Sequence, residues 1–416
     1  MQPDAIPWTT GNHLQLLVGG QAFFPALIAA IDQAHHSVFL ESYIFANDPA
    51  GQAVAQALIR AAHRGVQIQI LVDGFGAKNF VPDFGQTLRA VGIHYQIYRP
   101  ETRRWKLQRS RLKRLHRKLC VIDFDRALIG GHNIIDDHNT PAGLAPRLDI
   151  SIEVSGPAAA QIHRAALREW ALVARSGQSA SLSTHLQALR HYWTREYRRL
   201  HRWVFSMPPV TASGLPQAPL NGTARFLPRD NTLHRRTITR AYLTAIENAQ
   251  QTVYLAHAYF LPGYRFRHVL FDAAARGVQI HLLLQGSSDH PLLQYATRAL
   301  YRSLLIAGVH LYEYQGGFLH AKVGVVDSQW ATVGSSNMDP FSLSLAHEGN
   351  LEIRDSTLAQ TLAHELQQRI AEHSEAITLD HLKKNRIYSR LMCWLAYGIV
   401  RILITLSGYE RDYREQ

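Results

Sequence analysis

With 416 residues, 46% of them hydrophobic and 18% charged, the chain is too long for one ordinary core and too apolar for extended disorder, so two domains or a duplicated one are expected. A formal charge of +12 and a pI near 9.8 point to an anionic partner: nucleic acid, an acidic membrane surface or phosphorylated substrates. Two cysteines, Cys120 and Cys393, exclude a disulfide framework and a zinc pattern, and the opening MQPDAIPWTTGNHLQLL lacks the regions of a signal peptide, which points to the cytosol or the membrane face bordering it.

In chain order, a helix over about 22–35 precedes an apolar strand, SVFLESYIF (37–45). A second helix ends in AAHRG, where Gly65 is placed to cap it, and the strand VQIQILV follows. A further helix leads to AVGIHYQIY (90–98). Residues 103–118, RRWKLQRSRLKRLHRK, hold nine Lys or Arg interleaved with Trp105, Leu107, Leu112 and Leu115. Such a run suits anionic lipid headgroups, at about 1 kcal/mol per base near the surface. Nucleic acid would attract the same charges, but no stacking or base-reading module accompanies them. The run passes into HRKLCVIDFDRALIGGHN (116–133) and then PRLDISI, which carries Asp149.

Residues 158–222 separate this half from its return. They contain HYWTREYRRLHRW (191–203), read as a basic, aromatic helix, and MPPVTASGLPQAPLNGT (207–223), read as a linker. The pattern then repeats: a helix over about 234–250, TVYLAHAYF (252–260), AAARGVQIHLLLQG (273–286) with Gly277 at the cap, IAGVHLYEY (306–314) and HAKVGVVDSQWATVGSSN (320–337). Four matched blocks in one order indicate internal duplication. Alternating helices and apolar strands imply an α/β class with a largely buried sheet. The expected organisation is a first lobe at 1–157, a helical insert and linker at 158–222, a second lobe at 223–380 and a tail at 381–416. From Leu391 to Leu406 the tail carries one charge, Arg401. It falls short of the roughly 20 apolar residues of a membrane span. An interfacial helix is expected, with a core-packed helix and a tilted span as alternatives.

The two halves share a His-x-Lys-x4-Asp string: His116, Lys118 and Asp123, matched by His320, Lys322 and Asp327. Gly130 and Asn133 are matched by Gly334 and Asn337 at the same spacing. In a strand, His and Lys at i and i+2 project from one face, while Leu119 and Val121, or Val323 and Val325, face the core. A hairpin centred midway would set Asn133 opposite His116 and Asn337 opposite His320. The small pairs Gly130-Gly131 and Gly334-Ser335 would leave room for a phosphate. Seven extended residues span roughly 23 Å, so Asp123 and Asp327 read as turn-forming or supporting residues. Asp149 and Glu352 are the better candidates to hold a histidine Nδ1, leaving Nε2 free to react.

Phosphodiester transfer needs a nucleophile, an acid for the leaving alkoxide, positive charge on the non-bridging oxygens, and positioning. Two His, two Lys and two Asn supply these with no metal or cofactor. One histidine attacks phosphorus; the other protonates the leaving oxygen and then deprotonates the incoming alcohol.

The paired motifs resemble those of the phospholipase D superfamily. GNHLQLLVGG near the start, FLESYIF (39–45), PRDNTLHRRTITRAYLTAI (228–246) and GSSNMDPFSLSLAHEGNLEI (334–353) resemble its cardiolipin synthase branch, B type, over about residues 10–380. The resemblance implies a duplicated α/β fold of two α/β/α sandwich lobes, related by a pseudo-twofold, with one active site between them. It carries His116, Lys118, Asp123, His320, Lys322 and Asp327 into the catalytic set. It implies phosphatidyl transfer between two phosphatidylglycerol molecules, giving cardiolipin and glycerol. The implied partners are an anionic phospholipid membrane and phospholipid substrates, with no nucleic acid, at the cytoplasmic side of a bacterial inner membrane. A phosphodiesterase or nuclease on the same fold is the alternative. The halves differ at Gly131 and Ser335, and Asn350 and Glu352 stand where the first half has Arg147 and Asp149. That asymmetry points to distinct roles, with His116 as nucleophile and His320 as acid and base.

Overall fold

The structure, a computed structural model, describes residues 6–100, 113–140, 144, 146–176, 222–287, 290–384 and 387–407. The expected helix at 191–203, residues 207–221 of the linker and residues 103–112 of the basic run lie outside the described residues; Gly222 and Thr223, expected as linker, begin a strand.

In each half three apolar strands pair in parallel: Ser37–Ser42, Gln67–Asp73 and His94–Tyr98, and again Thr252–His257, Gln279–Gln285 and His310–Tyr314. Five of the six residues in Ser37–Ser42 and in Thr252–His257 are buried, as a strand covered on both faces requires. The motif hairpins, Leu119–Ile122 with Arg126–Gly130 and Lys322–Val326 with Trp330–Gly334, add antiparallel to the other side of these strands. Ile150–Ser155 and Ala346–Arg354 come next. Thr9–Val18 and Gly222–Arg229 then pair with each other and merge both halves into one 16-stranded sheet. The strand order reads alike outward from this central pair, the two-fold expected of a duplication; Ser374–Ile377 is an added edge in the second half.

The glycine caps follow the sequence. After helix Pro49–His63, Gly65 N–H bonds Ala62 and Val66 N–H bonds Ala61; after helix Tyr264–Ala275, Gly277 N–H bonds Ala274 and Val278 N–H bonds Ala273. Both are Schellman closures, and both glycines hold a positive φ, 87° and 91°. No side-chain crowding demands glycine at either position, so the backbone angle alone does.

The expected strands at 37–45 and 252–260 leave the ladder three residues early. The chain then bends to meet the ends of the motif hairpins, Phe45 bridging Ile134 and Phe260 bridging Met338. Helices Gly20–Asp32 and Pro49–His63 cover one face of the first half, and Thr237–Glu247 and Tyr264–Ala275 cover the matching face of the second. Helices Pro157–Ser176 and Ser356–His373 lie under both halves. Ile162, Ala166 and Trp170 of the one, with Leu358, Leu362 and Leu366 of the other, share a core with Ile152, Val154, Leu351 and Ile353. Each such large apolar side chain contributes about 1.5–3 kcal/mol on burial. The two halves are therefore held by one continuous core.

Helix Ile387–Ser407 packs against helix Pro291–Arg298 and buries Ala396, Val400 and Ile404, spaced one turn apart. Several apolar side chains on its other sides stay open: Trp394 is 63% and Ile402 60% exposed, beside Leu391, Leu395 and Ile399. Among the described residues, no helix is long and apolar enough to cross a membrane.

Candidate active site

Two short parallel pairings cross between the halves and build the site. Arg114–Leu115 pairs with Ala346–His347, and Phe318–Leu319 pairs with Arg147–Leu148. One step further along each pair, a histidine meets a carboxylate. His116 Nδ1 lies 2.9 and 3.1 Å from the Glu348 oxygens, and His320 Nδ1 lies 2.5 Å from Asp149 Oδ2. Each histidine thus takes its carboxylate from the opposite half. With Nδ1 donating, Nε2 is left to face the reacting group.

The short strands are themselves tethered. Asp73, at the end of Gln67–Asp73, accepts from Leu115 N–H at 2.9 Å; Gln285, at the end of Gln279–Gln285, accepts from Leu319 N–H at 2.5 Å. These equivalent positions close the matched strings LVDG and LLQG, which the sequence shows but assigns no role. Lys118 Nζ donates to the His116 carbonyl at 2.7 Å, and Lys322 Nζ donates to that of His320. The Tyr43 ring stands edge-on to His116, 5.0 Å between centroids, and 5.5 Å from Lys118 Nζ.

Burial shapes the charges here. It pushes the Lys118 pKa down to about 7, with Lys322 repelling and Glu348 opposing the shift. It also lowers His116, against the pull of Glu348, and drives His320 well below its ordinary value, helped by Lys322, Lys118, Arg147 and His116. Both lysines and both histidines therefore act on one another within a single chamber. Burial acts to raise Glu348, but His116, Lys118 and the Ser335 hydroxyl outweigh it and hold this carboxyl below its usual range. A chamber where burial and mutual repulsion disfavour positive charge on the histidines and on Lys118 is prepared for an anionic phosphoryl group.

Several expectations need correction. Asp149 orients a histidine as anticipated, but Glu352 does not: it accepts from Arg225 at 2.5 Å and from Trp330 Nε1 at 2.9 Å. Glu348 holds that place. Gly130 pairs with Ser151 and Gly334 with Asn350, so Asp149 is the structural equivalent of Glu348. A longer loop between motif and carboxylate in the first half hides this match in the sequence.

The hairpin register also differs by one residue. Leu119 pairs with Ile129 and Val323 with Val333, which carries Asn133 and Asn337 past the positions opposite the histidines. Their amide oxygens instead accept from Ile44 N–H (3.1 Å) and Tyr259 N–H (3.3 Å), tying the strand-end bends to the motif. The room beside Gly130 and Gly334 is already filled. A Cβ at Gly130 would sit 2.2 Å from Ser151 Oγ, and one at Gly334 would sit 2.2 Å from Asn350 Oδ1. Gly131 likewise clears space for Asp149, where Ser335 uses its hydroxyl to bond Glu348 at 2.5 Å.

Asp123 and Asp327 sit at the hairpin tips, away from the histidines. Asp123 accepts from the N–H groups of His35, His36 and Ser37 at 2.7–2.9 Å. Asp327 repeats this with Gln250, Gln251 and Thr252 at 2.8–2.9 Å. Both adopt positive φ, 48° and 52°, as tight hairpins demand. They clamp the hairpin to the start of the neighbouring strand.

Comparison with known proteins follows this geometry. The family model described as cardiolipin synthase, PLD-like domain matches residues 27–170 and 242–370. Cardiolipin synthase B of Salmonella typhi is 35% identical over 402 residues, covering 97% of this chain and 91% of that protein. Cardiolipin synthase B of Escherichia coli K12 is 36% identical with the same coverage. In fold, the crystal structure of the phosphatidylserine synthase of Haemophilus influenzae Rd KW20 is similar over 98% of both chains, with a TM-score of 0.66 at 14% identity. Two motif-bearing halves that exchange carboxylates across one chamber, with near full-length similarity to such synthases, place the chain in the cardiolipin synthase family of phospholipase D-like proteins.

Proposed function

We propose that this protein makes cardiolipin by moving a phosphatidyl group from one phosphatidylglycerol to the free hydroxyl of a second, through a phosphohistidine. The observation that carries this reading is the crossed pair of imidazole–carboxylate contacts around two buried lysines. His116 Nε2 attacks phosphorus, forming a P–N bond as the P–O bond to the glycerol headgroup breaks. His320, protonated in the bound complex, gives that proton to the departing glycerol oxygen. It then takes the proton from the hydroxyl of the second phosphatidylglycerol, whose oxygen attacks phosphorus and releases His116. Glu348 and Asp149 hold the imidazoles in the productive tautomer and stabilise the charge that forms on them. Lys118 and Lys322 neutralise the non-bridging oxygens, with the NH2 groups of Asn133 and Asn337 as further donors.

The open apolar side of helix Ile387–Ser407 supports peripheral contact with a lipid surface, Trp394 and Ile402 entering the headgroup boundary. The anionic inner leaflet of a bacterial cell membrane, on its cytoplasmic side, suits the chain's positive charge. The deciding experiment incubates purified protein with phosphatidylglycerol vesicles and, separately, with DNA. Cardiolipin and glycerol in equal amounts are expected; DNA cleavage without lipid turnover overturns the proposal. Protein denatured and kept at alkaline pH, where the P–N bond survives, should carry the phosphorus on His116, and a label on His320 alone would reverse the two roles.

A further inference from the structure

Arg117 and His347 alternate with the residues that face the chamber. His116, Lys118 and Glu348 point into it, so Arg117 and His347, one step along the same strands, project to the other side of the sheet. There they line a cavity of about 550 Å³ between helix Pro157–Ser176 and the turn Asp230–His234; none of the motif residues lines it.

Its walls bring in Arg99, Lys113, Arg164, Arg168 and Arg229, the last contributing charge only, since its guanidinium already donates to the Ala346 and Leu343 carbonyls. Against these five bases stand two carboxylates, and both are engaged. Glu169 lies 3.6 Å from Arg117 and 3.1 Å from His347, while Asp230 accepts from the backbone amides of Thr232 and His234. Arg117 is further held by two 2.8 Å bonds to Glu41. Burial, and then the crowding of Arg99, Arg235 and Arg229, lowers the pKa of Lys113. The cavity therefore concentrates repelling cations and offers forked donors from several directions, the arrangement that recognises a tetrahedral oxyanion.

We propose that this cavity is a second anion site, distinct from the catalytic chamber, that binds a phosphate group, either free phosphate or the headgroup of a phospholipid. It lies one residue behind His116 and Glu348 along the chain and has its own mouth beside the two exposed arginines of helix Pro157–Ser176. The binding claim does not depend on the proposed reaction, because it is read without turnover.

The test counts phosphate sites on the full-length chain by equilibrium dialysis with inorganic phosphate, and in parallel, with His116→Ala added to every form so that no lipid turns over, with a short-chain phosphatidylglycerol below its micellar concentration. The wild type should bind two equivalents of one probe or both. Arg164→Gln/Arg168→Gln, at solvent-exposed positions that leave the core intact, should weaken one of the two by at least about tenfold, the cost of losing charge-assisted bonds. Lys113→Gln, on another wall, should act on the same equivalent. Loss confined to phosphate identifies the free anion; loss confined to the lipid probe identifies a headgroup. A single equivalent for both probes in the wild type, or two undiminished equivalents in both variants, overturns the proposal.

Discussion

His116 and Glu348 stand 2.9 Å apart across the boundary between the two halves, although 232 residues separate them in the chain. This contact makes the halves chemically dependent: neither His-x-Lys string has its orienting carboxylate within its own half. Glu348→Gln keeps the shape but removes the charge and the tautomer preference. We expect kcat to fall by about 10²–10⁴-fold, measured as cardiolipin formed per minute, with unchanged circular dichroism. Asp149→Asn should behave alike through His320. Glu352→Gln is the control: its partners are Arg225 and Trp330, so it should lower the unfolding free energy by about 1–3 kcal/mol while keeping most of the rate. Equal rate losses at Glu348 and Glu352 would count against the crossed pairing.

The aspartates of the two motifs should fail differently from the histidines. Asp123→Ala strips the acceptor from three backbone amides at a hairpin tip. A stability loss of about 1–2 kcal/mol is expected in urea titrations, the scale of a lost helix cap. The folded fraction should retain kcat within about tenfold, against the near-complete loss expected for His116→Ala. Abolished turnover in well-folded Asp123→Ala would return this residue to the chemistry.

Acidity should reveal Lys118. Its pKa, pushed by burial down to about 7, means that the empty enzyme loses this ammonium as pH rises through neutrality. The histidines, lowered by burial, remain neutral into mildly acid solution. The profile of kcat/KM, which reports the free enzyme, should therefore rise toward acid, because His320 must first gain the proton it donates, and fall more steeply above about pH 7, where Lys118 loses its charge. Lys118→Arg keeps a permanent charge at some cost in rate and should shift the alkaline limb upward. An unmoved limb in that variant assigns the titration to another group.

Membrane contact is separable from chemistry. Ile402→Glu and Trp394→Glu place charges on the open side of the last helix without touching Ala396, Val400 or Ile404. Co-sedimentation with phosphatidylglycerol vesicles should weaken by at least about tenfold per substitution, since each removes an apolar anchor worth about 1.5–3 kcal/mol. Activity on detergent-dispersed substrate should persist. Unaltered sedimentation would assign membrane contact to another surface.

Much of this architecture is legible in the chain itself. The fourfold series of matched blocks determines the duplication, Gly65 and Gly277 determine the helix stops, and period-two alternation determines that His and Lys share a face. These are local properties, set by backbone angles and side-chain spacing over a few residues. Strand length limits also suffice to keep Asp123 and Asp327 away from the histidines. What alternation leaves open is which strand lies alongside, and in what register. That choice belongs to long-range pairing: Arg114–Leu115 beside Ala346–His347, and Phe318–Leu319 beside Arg147–Leu148. It selects Glu348 over Glu352, gives the glycine clearance to Asp149, Ser151 and Asn350, and slides Asn133 past His116 by one position. The last helix shows the same division, since its apolar composition is plain in the sequence, but only packing against Pro291–Arg298 decides which side is buried and which is left to meet a lipid surface.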